Sequence, residues 1–208
     1  MSVSVRRHLR GVAASVALSA LAFGAFSTAS AQANVVALGA CDDSVLSQPF
    51  VPWADVNSYK LAPGGDFERS ASGWALSGAA SVVAGSEPAG VTGTVGSSAL
   101  SLARGGSAQS PATCVNAAYP SFRFFARTDT PGSAVSVTVV YQTSLGQLSI
   151  PVGVVAVSPG WSPSLPMLTG SAIPGLLSGG TAQISLRFAQ LTGSSQIDDV
   201  FVDPHGFG

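Results

Sequence analysis

The chain repeats one pattern along most of its length. Short runs of alternating apolar and polar residues are separated by Gly, Pro, Ser and Asp. In residues 134–141, Val135, Val137, Val139 and Tyr141 face one way, and Ser136, Thr138 and Val140 the other. In residues 181–188, Ala182, Ile184, Leu186 and Phe188 alternate with Gln183, Ser185 and Arg187. Ser121–Arg127 sets Phe122, Phe124 and Ala126 against Ser121, Arg123, Phe125 and Arg127. A period of two is the signature of a strand with one face on a core.

The same reading extends to Ser98–Ala103, to residues 197–202, and to a mixed run at 74–84 with Gly78 as its bulge. Residues 147–157 are continuously apolar, and Pro151 marks a bulge or an edge there. Residues 172–177 could form at most one helical turn, and Pro174-Gly175 suits a plain turn equally well. Seven or eight strands without an amphipathic helix or a repeat predict an all-β fold. The expected architecture is a two-sheet antiparallel jelly-roll β-sandwich rather than an up-and-down barrel.

The N-terminus breaks the pattern. Arg6, Arg7 and Arg10 precede 16 uncharged, mostly apolar residues, 11–26, followed by Ala29-Ser30-Ala31 and Ala31-Gln32-Ala33. That is the layout of a secretory leader. The run is shorter than the roughly 20 residues of a spanning helix. Residues 1–31 are expected to be a cleaved signal peptide. The mature chain is then secreted, with no membrane-inserted segment. Residues 32–62 read as an irregular segment packed on the sandwich through Phe50, Trp53 and Tyr59, and residues 63–208 as the sandwich itself.

Without the leader, six basic residues face ten acidic ones, a net charge of −4. That balance leaves no basic patch, so nucleic acid is not an expected partner. The two cysteines, Cys41 and Cys114, read as a disulfide in an exported chain. Closing that 73-residue interval is worth roughly 4 kcal/mol on the chain-entropy model.

Catalysis finds little support. The one histidine after the leader, His205, lies in a Gly-flanked tail, where nothing orients an imidazole as a triad requires. Two adjacent acids, Asp198 and Asp199, sit in the apolar run Ile197–Val202. Strand alternation puts them on opposite faces, so they are not expected to form the close carboxylate pair of a glycosidase. One of them should face inward or toward an edge, where a cation or an Arg must meet it. Arg69, Arg123 and Arg187 are the candidate partners, and Ca²⁺ is the alternative. A second candidate is the polar face formed by Arg123, Phe125 and Arg127, with Arg187 on a neighbouring strand. An aromatic ring there could stack on a sugar while Arg groups read its hydroxyls. Trp161, in a Pro-rich loop, is a further exposed platform, whereas Trp74 opens a strand and belongs to the core.

Two motifs carry a resemblance. Gly65-Asp66-Phe67-Glu68 followed by Gly73-Trp74, together with Ile197-Asp198-Asp199-Val200 in the last strand, resembles calcium-containing jelly-roll carbohydrate-binding modules and galactose-binding-like domains. The resemblance implies a structural Ca²⁺ held by Glu68 and one of Asp198 or Asp199. Over residues 41–204 the chain also resembles an uncharacterised family of secreted bacterial proteins. Its landmarks are Gln48-Pro49-Phe50, the Gly-Gly-Asp-Phe-Glu turn, residues 73–78, residues 123–127 and the ending Ile197–Pro204. The expectation is a secreted non-catalytic binding module for a glycan. A structural or protein-interaction domain of the cell envelope with no small ligand is the alternative, and a hydrolase the third reading.

Overall fold

A computed structural model describes residues 45–116, 120–143, 145–169 and 181–204. The expected leader, Cys41, the turn at 172–177 and His205 lie outside the described residues.

Thirteen strands are described: β1 (Lys60–Leu61), β2 (Ala75–Ser77), β3 (Ala80–Ala84), β4 (Ser98–Ala103), β5 (Ser107–Gln109), β6 (Thr113–Asn116), β7 (Ser121–Arg127), β8 (Ala134–Thr143), β9 (Gly146–Ala156), β10 (Ser162–Pro163), β11 (Met167–Leu168), β12 (Thr181–Thr192) and β13 (Ser194–Asp203). They form two antiparallel sheets, a β-sandwich as expected. The first runs β10–β7–β13–β4–β3, with β1 also on β13 and β11 also on β7. The second runs β2–β5–β12–β8–β9, with β6 also on β12. The chain crosses between sheets at every step except β3 to β4, β5 to β6, β8 to β9 and β10 to β11. No described helix is long and apolar enough to cross a membrane.

The alternating positions meet between the sheets. Leu100, Leu102, Phe122, Phe124, Ile197 and Val202 come from the first sheet. Val135, Val137, Val139, Ile184, Leu186 and Phe188 come from the second. The Phe124 and Phe188 rings meet edge to face at 4.9 Å. Trp74 is buried as expected, stacked on Phe188 at 6.1 Å, and its indole N–H donates to the Pro63 carbonyl at 3.0 Å. That bond satisfies the one polar group a buried indole carries.

Three expectations about the strands change. The run 74–84 is two strands in different sheets: β2 pairs with β5 and β3 pairs with β4. Gly78 has φ +61°, and a Cβ there would collide with the Gly105 carbonyl oxygen. The chain turns there rather than bulging, and passes from one sheet to the other. The segment before residue 63 is also not purely irregular, since Lys60 and Leu61 pair with Val202 and Phe201 of β13. The third is number: seven or eight strands are expected and thirteen are described, because β5, β6, β10 and β11 are too short to show alternation. Pro151 lies at both a bulge and an edge, because β9 has β8 as its one neighbour among the described strands and slips register opposite Val137 and Thr138.

Candidate functional site

The last strand does not alternate as its sequence suggests. Asp198 pairs with Phe125, but the next pair is Phe201 with Arg123, so Asp199 and Val200 together oppose Phe124. Asp199 has φ +46°, a left-handed conformation that Asp tolerates better than most residues. This bulge adds one residue to the strand and resets its faces. Val200 enters the core, and Asp199 stays beside Asp198. The expected separation of the two acids across the sheet is therefore wrong. Asp198 is 0 % and Asp199 4 % exposed.

Their partners are main-chain donors and other acids rather than Arg69, Arg123 or Arg187. Asp198 Oδ2 accepts from the Ser86 hydroxyl at 2.8 Å and the Glu87 N–H at 2.9 Å, while Oδ1 accepts from the Asp199 N–H at 2.9 Å. Burial still outweighs these donors and pushes Asp198 up to about 6. Asp199 is pushed further, first by burial and then by the charges of Asp198, Glu87 and Asp66. The Glu87 carboxylate is fixed by the Ala89 N–H at 2.6 Å and the Val91 N–H at 3.1 Å. Together these bonds staple the loop after β3 to the last strand.

The Gly-Gly-Asp-Phe-Glu turn does sit against this strand. Val200 N–H donates to the Gly65 carbonyl at 3.0 Å, and Ala62 N–H to the Val200 carbonyl at 2.8 Å. A Cβ on Gly65 would stand 2.8 Å from the Val200 oxygen, so the close approach requires glycine. Glu68 bonds Ser97 and Ser98. It accepts from the Ser97 N–H at 2.6 Å, the Ser97 hydroxyl at 2.8 Å and the Ser98 N–H at 2.8 Å, and these donors hold its carboxyl below the usual range.

Ca²⁺ needs six to eight hard oxygen ligands. The oxygens of Glu68 and Asp198 are committed to N–H and O–H donors. No three His, Cys, Asp or Glu side chains among the described residues are placed to hold a metal. The expected set of Glu68, Asp198 and Asp199 does not fit a calcium ion. Cys114 is disulfide-bonded, and its expected partner, Cys41, lies outside the described residues.

The expected ligand face divides in two. Arg123 and Phe125 are 4 % and 1 % exposed, because the chain's own segment before β1 covers them. Phe50 stacks on Phe125 at 5.8 Å and meets Tyr59 and Phe201 edge to face. The Arg123 guanidinium lies 4.3 Å over the Phe50 ring. It donates from Nε to the Ser164 carbonyl at 2.8 Å and from Nη1 to Asp55 Oδ2 at 2.7 Å. Asp55 also accepts from the Tyr59 hydroxyl at 2.7 Å and the Asn57 N–H at 3.1 Å. Arg123 and Phe125 are thus corrected from a ligand face to a second, buried cluster.

Beyond that cluster the face is open. Register places Arg127 of β7 beside Gln196 of β13, Gln196 beside Ser101 of β4, and Ser101 beside Ser81 of β3. Paired residues of an antiparallel sheet share a face, so these four form one row across it. Trp161 extends the row, with Arg127 Cζ 5.9 Å from its ring centroid. Arg127 Nε donates to Gln196 Oε1 at 2.9 Å, and Nη2 reaches Asp129 at 3.2 Å. Trp161, Arg127, Gln196 and Ser101 are half-buried, and Ser81 is exposed. The expected pair Arg127 and Trp161 is therefore brought together. Gln196 and Ser101 went unnoticed in the sequence, since a row across strands is invisible until strand order is known. Arg187 belongs elsewhere, on the outer face of the second sheet, with Nε and Nη2 on Gln109 Oε1 at 2.9 and 2.6 Å.

No protein-family model and no curated protein matches the chain. Several solved structures are similar to it. The carbohydrate-binding module TmCBM61, solved with β-1,4-galactotriose, is 16 % identical with a TM-score of 0.39, over 67 % of this chain and 94 % of that one. The C-terminal family 22 carbohydrate-binding module of Clostridium thermocellum Xyn10B is 20 % identical with a TM-score of 0.42, over 67 % and 91 %. The enzymatically active domain of bacteriophage CBA120 tailspike protein 4 is 14 % identical with a TM-score of 0.41, over 67 % of this chain and 20 % of that one.

Proposed function

We propose that this chain is a secreted, non-catalytic binding module, and that the row Trp161–Arg127–Gln196–Ser101–Ser81 takes a neutral glycan. The observation that carries the reading is the row itself. Four adjacent strand positions at about 4.8 Å spacing, extended by the Trp161 ring beside Arg127, make a polar track about 20 Å long with an aromatic ring at one end. The half-buried indole offers an apolar face to sugar C–H groups. Arg127 keeps N–H donors beyond those it gives Gln196 and Asp129, and the Gln196 amide and the Ser hydroxyls both donate and accept, as hydroxyl recognition needs.

The carboxyl geometry favours binding over hydrolysis. Asp199 and Glu87 are 4 % and 1 % exposed, so no glycosidic bond can reach between them. The test is retention on insoluble polysaccharides and on a glycan array. Trp161→Ala and Gln196→Ala are expected to weaken retention at least tenfold, and Arg187→Ala to leave it unchanged. Retention that survives Trp161→Ala and Gln196→Ala together overturns the assignment of the row. One observation favours a second reading, a structural or protein-interaction domain of the envelope: the chain fills half of this face with its own aromatics. No binding to any glycan in the panel would select that reading.

A further inference from the structure

A cleft of about 490 Å³ opens between the sheets at the edge where β9 faces β10 and β11. It exists because two inward positions on facing strands are small. Gly153 stands opposite Val137 in the inner row of β9, and Ala126 occupies the matching row of β7. A Cβ on Gly153 would lie 3.1 Å from the Met167 Cε methyl, which closes the inner wall. Val152, Val155 and Met167 join the cleft to the core. Leu165 and Val154, 82 % and 60 % exposed, form its mouth.

No Asp, Glu, Lys, Arg or His lines the space among the described residues. Its polar groups are the hydroxyls of Ser158, Ser162 and Ser164 and the main chain of the edge strand. Ser164 is already engaged, since its hydroxyl accepts from the Phe124 N–H at 3.2 Å. Ser158 and Ser162 are exposed.

We infer that this cleft binds a small neutral molecule with an apolar body and one hydrogen-bonding group, at a place separate from the glycan row. The volume lies within the roughly 300–1,000 Å³ of small-molecule sites. An uncharged wall excludes ionic ligands, because nothing there offsets their desolvation. Strand addition by a peptide or a second copy is disfavoured at this edge. Pro151 removes a donor from the middle of β9, and the adjacent bulge breaks its ladder.

The test uses N-phenyl-1-naphthylamine, a neutral fluorophore, with the full chain. Saturable, one-to-one fluorescence enhancement is expected. Gly153→Val, which fills the inner wall, is expected to weaken binding at least tenfold. Leu165→Asp, which puts a charge at an exposed mouth position, is expected to do the same with an unchanged melting temperature. The Met167 methyl, one of two methionine methyls in the chain, is expected to shift in a carbon–proton spectrum on titration. Enhancement that does not saturate, survives both substitutions or leaves the Met167 methyl unmoved overturns the inference. A dimer that Leu165→Asp dissociates, with no dye bound, also overturns it and assigns the cleft to contact between copies.

Discussion

Asp55→Ala is expected to cost more stability than any exposed-residue change in this domain. The Arg123 and Asp55 side chains are 5 % and 9 % exposed, so the pair has little water to fall back on. Asp55 accepts three hydrogen bonds, from Arg123, Tyr59 and Asn57. Its loss leaves a buried guanidinium on the Ser164 carbonyl and the Phe50 ring alone. Breaking a buried pair from one side costs about 3–5 kcal/mol, mostly through the uncompensated charge. With a urea slope of about 2 kcal/mol/M, the unfolding midpoint falls by about 2 M. Arg123→Met in the Asp55→Ala background removes the stranded charge and should recover most of that loss. A second axis is pH. Burial alone raises the Asp55 carboxyl, but the Tyr59 hydroxyl, Arg123 and the Asn57 N–H outweigh it and hold it below its ordinary value of 3.8. Its contribution is therefore present above pH 4 and lost as pH falls through the lowered value, a loss that Asp55→Ala should not show. Urea melts at pH 7 and pH 3 measure both effects. A cost under about 1 kcal/mol for Asp55→Ala, or simple additivity with Arg123→Met, refutes the reasoning.

The buried acids carry the opposite sign. Asp198 and Asp199 are raised, to about 6 and about 8, from an ordinary 3.8, so their contribution is full below about pH 4 and lost as pH rises through those values. The melting temperature should fall between about pH 4 and pH 8, and Asp199→Asn, neutral and tolerant of a left-handed φ, should flatten the part of the fall above about pH 6; a wild-type profile that is level over that range refutes it. Because Glu68 and Asp198 are satisfied by N–H and O–H donors, EDTA and millimolar Ca²⁺ are each expected to leave the melting temperature at pH 7 unchanged, and a clear rise with Ca²⁺ would show that the ion displaces those donors.

The strands were legible because most of them put one face on a single core. Val135, Val137, Val139 and Tyr141 repeat every second residue with nothing to interrupt them, and so do Ile184, Leu186 and Phe188. What alternation could not report is the fate of the second face. Arg123 and Phe125 look like an outward row, and outward from the core they are, yet Phe50, Trp53 and Tyr59 need an apolar surface as much as any strand does. The signal was the pairing of those aromatics with one acid, Asp55, in a segment with no strand pattern of its own. The bulge at Asp199 also left a trace. Ile197, Val200 and Val202 are core residues spaced by three and then by two, and a strand can present both spacings to one side only by adding a residue between them. Asp199 is that residue, so the two acids that strict alternation separates end up together. The same bulge lets Phe201 join the outer aromatic cluster while Val202 stays in the core. That cluster stops at Trp161, which packs against its margin and contacts Arg127. The covered half of the sheet thus supports the one aromatic that borders the open half, and the row from Arg127 to Ser81 begins where the chain's own aromatics end.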